Sequence, residues 1–155
     1  SFLSISTFFS TSSNLPILTI TANSILLDSN YHLLPNIDTF LKELFNNFII
    51  YIFVEVKDDK HLKQVENDVY SEFQNVISKD NILFCQTSIG RSPMCRQLES
   101  NLHIEYDIDA ARLNSIYCPT AFISPTKPDN LNAQFHASSL IEFFTLYHDT
   151  IQNFL

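Results

Sequence analysis

Cys85, Arg91 and Ser92 are the residues whose types and spacing could do covalent chemistry. In CQTSIGRSP (85–93) a cysteine is followed by five residues, an arginine and a serine. A thiolate here would be a phosphorus nucleophile, activated by a helix N-terminus and by Arg91. Arg91 would hold phosphoryl oxygens as a planar fork, and Ser92 would assist the leaving thiolate. The same residues also fit a structural turn. Cys85 is then a buried strand end, Gly90 a left-handed turn residue and Ser92 a helix N-cap, with Pro93 at the first helical position. Arg91 and Arg96 then pair with Glu99, Glu105 or Asp107.

The elements that must position this loop follow from hydrophobic periodicity. LPILTI (15–20) alternates and is β-branched, as a strand requires; SILLD (24–28) extends it or forms a second short strand. Ile37, Phe40, Leu41, Leu44 and Phe45 repeat on one helix face. FIIYIFVEV (48–56) is apolar at nearly every position, which predicts a strand buried on both faces of a parallel sheet. Leu62, Val65, Val69, Phe73 and Val76 form a second helical stripe. NILFC (81–85), HIEYD (103–107) and PTAFIS (119–124) read as short strands. A helix through Ala110, Leu113 and Ile116 follows an Asp107 or Asp109 cap. PTKPDNLNAQ (125–134) reads as a polar loop. Ser139 and Glu142 match a capping box, and Leu140, Phe143, Phe144, Tyr147 and Ile151 supply the last helix. Residues 1–14 read as a tail or linker, and 15–155 as one domain. Strands alternating with helices predict an α/β, Rossmann-like three-layer sandwich around a mostly parallel sheet.

The loop thus falls at the carboxyl end of a strand and before a helix, where open α/β sheets place ligands. Ile82 to Pro93 looks like the nucleophile loop of the low-molecular-weight tyrosine phosphatases. Three features count against that activity. The loop middle, Gln86-Thr87-Ser88-Ile89, lacks the glycine that helps amides converge on a phosphate. The motif lies deep in the chain, whereas that class carries it at the N-terminus. A general acid is also needed, and Asp129 in KPDN is the one loop aspartate to nominate.

The sequence ILFCQTSIGRSPMCRQLESNLHIEYD resembles the peroxin-22 family. The matching residues are Phe84-Cys85, Thr87, Gly90-Arg91, Arg96-Gln97-Leu98 and His103-Ile104-Glu105. The resemblance implies a Rossmann-like cytosolic domain, not a catalyst, with a membrane anchor preceding it. It implies a one-to-one complex with the ubiquitin-conjugating enzyme peroxin-4. That enzyme would be held at the cytosolic face of the peroxisomal membrane and stimulated there, in support of import-receptor ubiquitination and recycling. The Cys-x5-Arg spacing recurs in that family without phosphatase chemistry. Residues that break the core pattern are the candidate partner surface: Tyr106, Asp107, Asp109, Arg112, Asn114 and Tyr117.

Composition narrows the alternatives. The net charge of −8 over 155 residues disfavours nucleic acid and anionic membrane as partners, and favours a partner with a basic face. Three cysteines, in no zinc-binding pattern, read as reduced thiols in a cytosolic setting. A single glycine rules out the dinucleotide fingerprint Gly-x-Gly-x-x-Gly. No cofactor is expected. The five histidines have no ligand spacing, and the pairs Asp58-Asp59 and Asp107/Asp109 read as solvated faces rather than metal sites. No run approaches the roughly 20 apolar residues of a membrane helix. The chain opens at Ser1 rather than Met, so a targeting or anchoring segment is expected to be missing from it.

Overall fold

Period-2 and period-3.6 patterns alternate along this chain, and the elements follow them. A computed structural model describes residues 15–154, with the side chains at 148 and 150–154 left aside. The expected tail over 1–14 and the stripe position Ile151 therefore lie outside what is described. The strands are β1 (Ile17–Thr21), β2 (Ile49–Glu55), β3 (Ile82–Cys85), β4 (Leu102–Glu105), β5 (Thr120–Ile123) and β6 (Phe135–Ala137). The helices are α1 (Ile37–Leu44), α2 (Asp59–Phe73), α3 (Arg91–Leu98), α4 (Ile108–Asn114) and α5 (Leu140–Phe154). The six strands form one sheet in the order β3-β2-β1-β4-β5-β6, and every pairing is parallel. The alternation predicted a mostly parallel sheet; the order itself, that of a Rossmann fold, comes from the tertiary structure. The chain returns from β3 across the sheet to β4, so the topological switch point lies between β1 and β4.

The two faces of the sheet differ in chemistry. Leu18 and Ile20 of β1, Ile50, Ile52 and Val54 of β2, and Ile104 of β4 join one apolar cluster with Phe40, Leu41 and Leu44 of α1, Val69 and Phe73 of α2, and Phe143 and Phe144 of α5. Phe144 meets Phe40, Phe48 and Phe143 with ring centroids 5.9, 6.0 and 5.0 Å apart, within the favourable range for tilted and edge contacts. The opposite parity carries Thr19, Thr21, His103, Glu105 and Thr120, all with no side-chain exposure. Polar residues at alternate strand positions ordinarily face water. Here α3 and α4 cover them: Cys95 and Arg91 of α3 contact Thr19 and Glu105, and Asn114 of α4 contacts Thr120.

Several local expectations are corrected. Residues 24–28 are not a strand. Ser24 and Tyr31 take positive φ (67° and 62°), the chain folds back, and only isolated bridges link Asn23, Leu27 and Leu33. Ile25, Leu26 and Leu27 are buried all the same, so their apolarity reports burial and not extension. Asn23 serves as a side-chain rung beyond β1, donating to the Glu55 carbonyl (3.1 Å) and accepting from the Glu55 amide (2.8 Å). The polar stretch read as a loop leads into β6, a three-residue strand whose Phe135 stacks on Phe143 and Tyr147. So short a strand has too little sequence to show a period.

Asp107 caps α4, accepting from the Ala110 amide at 2.9 Å. Ile116 falls beyond that helix and is exposed. Ser139 accepts from the Glu142 amide at 3.1 Å, while the Glu142 carboxylate reaches back to the Ser138 amide at 3.0 Å. The capping box is therefore displaced by one residue on its return bond.

Candidate functional site

Cys85 ends β3, and the four residues from Gln86 to Ile89 lead to α3. The turn is held by its own groups. The Gly90 amide donates to Thr87 Oγ1 (3.1 Å), the Arg91 amide to the Ser88 carbonyl (3.3 Å) and the Ser92 amide to the Ile89 carbonyl (3.3 Å). Three successive amides are thus engaged within the turn instead of converging on an anion site. Gly90 is not left-handed: its φ is −62°. Its role is close approach, because a Cβ there would lie 3.0 Å from Thr87 Oγ1. Ser92 is not the N-cap either. The helix begins at Arg91, two residues before the expected start at Pro93, and the buried Ser92 hydroxyl has no partner among the described residues. Pro93 then occupies the third helical position, whose N–H would have no intrahelical acceptor.

Arg91 points inward and is 1% exposed. Its Nε and Nη2 donate to Glu105 Oε1 and Oε2 at 2.7 and 2.8 Å, a bidentate fork. Its Nη1 donates to Glu55 Oε1 at 2.5 Å. Glu105 is further satisfied on every side. Thr21 Oγ1 donates at 2.9 Å, the Tyr106 and Asp107 amides at 3.0 Å each, and His103 Nε2 lies 3.0 Å from Oε1. His103 Nδ1 lies 2.8 Å from Thr19 Oγ1. A buried carboxylate of this kind is tolerable only with such complete pairing.

The electrostatics follow from these contacts. Burial opposes ionisation of Glu105, but the hydrogen bonds and charges of His103 and Arg91 prevail, and its pKa falls to about 2. Burial also opposes a charged His103; the Cys95 sulfur and the Glu105 carboxylate outweigh it, and its pKa rises to about 9. Arg91 stays charged, its desolvation overcome by Glu105 and Glu55. Two acids and two bases therefore form a neutral cluster that ties the start of α3 to β2 and β4.

This arrangement counts against the phosphatase alternative. The guanidinium that should grip a phosphoryl group is fully engaged by two carboxylates. Burial pushes the Cys85 thiol pKa up, despite Arg91 Nη1 at 3.6 Å, and a thiol that stays protonated is a poor nucleophile. Folded protein at neutral pH should alkylate Cys85 with iodoacetamide at least about 100-fold more slowly than unfolded protein, as expected of a buried high-pKa thiol. Peptide mapping of the labelled cysteine checks this; rapid labelling in the fold would restore the nucleophile.

The other residues singled out from the sequence divide into two groups. Phe84 packs edge-on against Tyr70 at 5.7 Å, and Ile104 is buried, Leu98 half-buried and Gln97 exposed. Arg96 does not pair with a carboxylate; its guanidinium lies over the Tyr117 ring at 4.2 Å. Among the surface candidates, Asp109 and Tyr117 are exposed, Arg112 is partly so and bonds the Asn130 carbonyl at 3.2 Å, and Tyr106 is half-buried with Arg91 over its ring at 5.6 Å. Asn114 is 2% exposed. Its amide nitrogen contacts Cys118 and Thr120, which removes it from any surface. Glu55 is the residue sequence reasoning missed. Its signal was present: a lone charge near the end of an apolar strand, in register with Cys85.

The fold and the cluster define a Rossmann-ordered α/β domain whose Cys-x5-Arg turn is an internal clamp. A family model described as Peroxisome biogenesis protein 22, Haloacid dehydrogenase-like domain, matches residues 20–144. The chain belongs to the peroxisome biogenesis protein 22 family, and its role is in peroxisome biogenesis. No curated protein matches it.

Proposed function

We propose that this domain is a non-catalytic adaptor that binds a ubiquitin-conjugating enzyme of the peroxin-4 type, one to one, and stimulates it at the cytosolic face of the peroxisomal membrane. One observation carries the reading: in a chain of this family, the arginine spaced to hold a phosphoryl group is consumed by its fork onto Glu105. That leaves surface recognition as the property to explain. Among the described residues no helix is long and apolar enough to cross a membrane, so in this reading the attachment comes from a segment other than these.

The recognition surface is α4 with the turn after it. Asp109 and Arg112 sit one helical turn apart, and Ile116 and Tyr117 follow them, 72% and 51% exposed. An apolar and aromatic centre with a charged edge is the usual anatomy of a specific interface. Calorimetric titration with the conjugating enzyme should give a one-to-one complex, and Tyr117→Ala should weaken it by about tenfold or more, as expected of a hot-spot aromatic. Ubiquitin discharge by the enzyme should quicken when the domain is added. Absence of binding at tens of micromolar would remove the adaptor reading; binding with unchanged discharge would reduce it to tethering.

A further inference from the structure

The segment between β1 and α1 leaves the sheet at the switch point and folds back beside Tyr106. With Tyr106 it encloses a recess of about 360 Å³, walled by Asn23, Leu27, Asp28, Tyr31, Leu34 and Tyr106 among others. We propose that this recess receives a lysine or arginine side chain from the conjugating enzyme. The inference rests on the adaptor reading and names the contact that would anchor it.

Three observations converge. First, the recess is lined by two tyrosines, two leucines and polar residues, and Asp28 alone among them carries a formal charge. Both the Asn30 and His32 amides donate to Asp28 Oδ1, at 2.8 and 3.0 Å, leaving Oδ2 for an incoming donor. Those amides hold the carboxyl below its ordinary range, so it is ionised at neutral pH. A cation gains from a carboxylate and from tyrosine rings together, and its aliphatic stem can lie along the half-buried Leu34. Second, the two tyrosines are already fixed. Tyr31 Oη donates to the Glu55 carbonyl at 3.2 Å and Tyr106 Oη reaches Glu55 Oε2 at 3.4 Å. An occupant therefore finds its walls in place rather than having to order them. Third, Tyr106 and Asp107 lead directly into α4, so the recess adjoins along the chain the helix that carries the proposed recognition surface. The protein's net charge of −8 agrees with a basic contact face on the partner.

The buried cluster beneath does not oppose this. Arg91 and His103 balance Glu55 and Glu105, so no net positive charge faces the recess from below. The nearby His32 pairs with Glu72 at 3.5 Å.

The test compares the conjugating enzyme's affinity for wild type, Asp28→Asn and Asp80→Asn by calorimetry at two salt concentrations. Asp28→Asn keeps an acceptor for the two amides and removes only the charge. It should weaken binding by about fivefold to tenfold and flatten the salt dependence. Asp80→Asn, in the short 3-10 turn before β3, should change neither. Tyr106→Leu, with its fold checked by urea unfolding, should weaken binding at both salt concentrations. Wild-type binding that Asp28→Asn leaves unaltered overturns the recess and leaves the adaptor reading standing. No wild-type binding removes both, because the occupant is a side chain of that enzyme.

Discussion

Arg91→Ala should destabilise the domain by about 3–5 kcal/mol, the cost typical of stripping one partner from a buried ion pair. Alanine leaves Glu105 with no side-chain exposure and without its bidentate partner, and also frees Glu55 Oε1. Arg91→Lys should recover little, since one ammonium cannot supply the fork to Glu105 and the third bond to Glu55 together. The diagnostic variant is Arg91→Met combined with Glu105→Gln. A neutral amide removes the stranded charge, so the double variant should be more stable than Arg91→Met alone, and urea unfolding of the set measures the coupling. A loss below about 1 kcal/mol for Arg91→Ala would mean that the cluster is not what secures α3 to the sheet. Total stabilities are typically about 5–15 kcal/mol, so the variant could fall near the limit of folding at 37 °C. Loss of the proposed partner binding by that variant would then reflect unfolding and should not be read as an interface defect.

Stability should fall on both sides of a plateau, and the alkaline side is the informative one. His103 has a folded pKa of about 9 against 6.5 in the unfolded chain. Its contribution is complete below pH 6.5 and is lost as pH rises through 9. Glu105 has a folded pKa of about 2 against 4.5. Its contribution is complete above pH 4.5 and is lost as pH falls through 2. Each shift corresponds to about 3 kcal/mol at 1.36 kcal/mol per unit. The two share one contact at 3.0 Å, so they titrate as a pair and their contributions do not add. His103→Gln keeps a donor for Glu105 but has no proton to release. Its stability should be flat from pH 6.5 to 9 where wild type declines. Urea midpoints across that range decide it; parallel declines in both proteins would place the alkaline loss elsewhere.

Much of the architecture was legible in local pattern. FIIYIFVEV is apolar at nearly every position, as a strand covered on both faces requires, and it is β2, an interior strand of the sheet. The stripe at 37, 40, 41 and 44 is the buried side of α1. The residues shared with the peroxin-22 pattern were likewise readable as a string. The turn chemistry was less so. Ser-Pro is a common helix start, yet α3 begins at Arg91 because Thr87 and the Ser88 and Ile89 carbonyls already hold the preceding amides. A local propensity gave way to a tertiary demand: the guanidinium must enter the core where Glu105 waits.

What the order of residues determined by itself was the alternation of strands and helices, and which residues share a face of each, because those are periodicities of 2.0 and 3.6 written along the chain. It also determined that Cys85 and Arg91 stand six residues apart. Only the tertiary structure decided what covers each face. Thr19, Thr21, His103 and Glu105 have the parity of solvent-facing positions, and α3 and α4 buried them. Some of their partners are local, as with His103 and Glu105 two residues apart on β4. Others lie 14 residues away, as Arg91 from Glu105, or 84, as Thr21 from Glu105, and no local pattern encodes those pairings. That is why a spacing fit for catalysis became, once folded, a clamp.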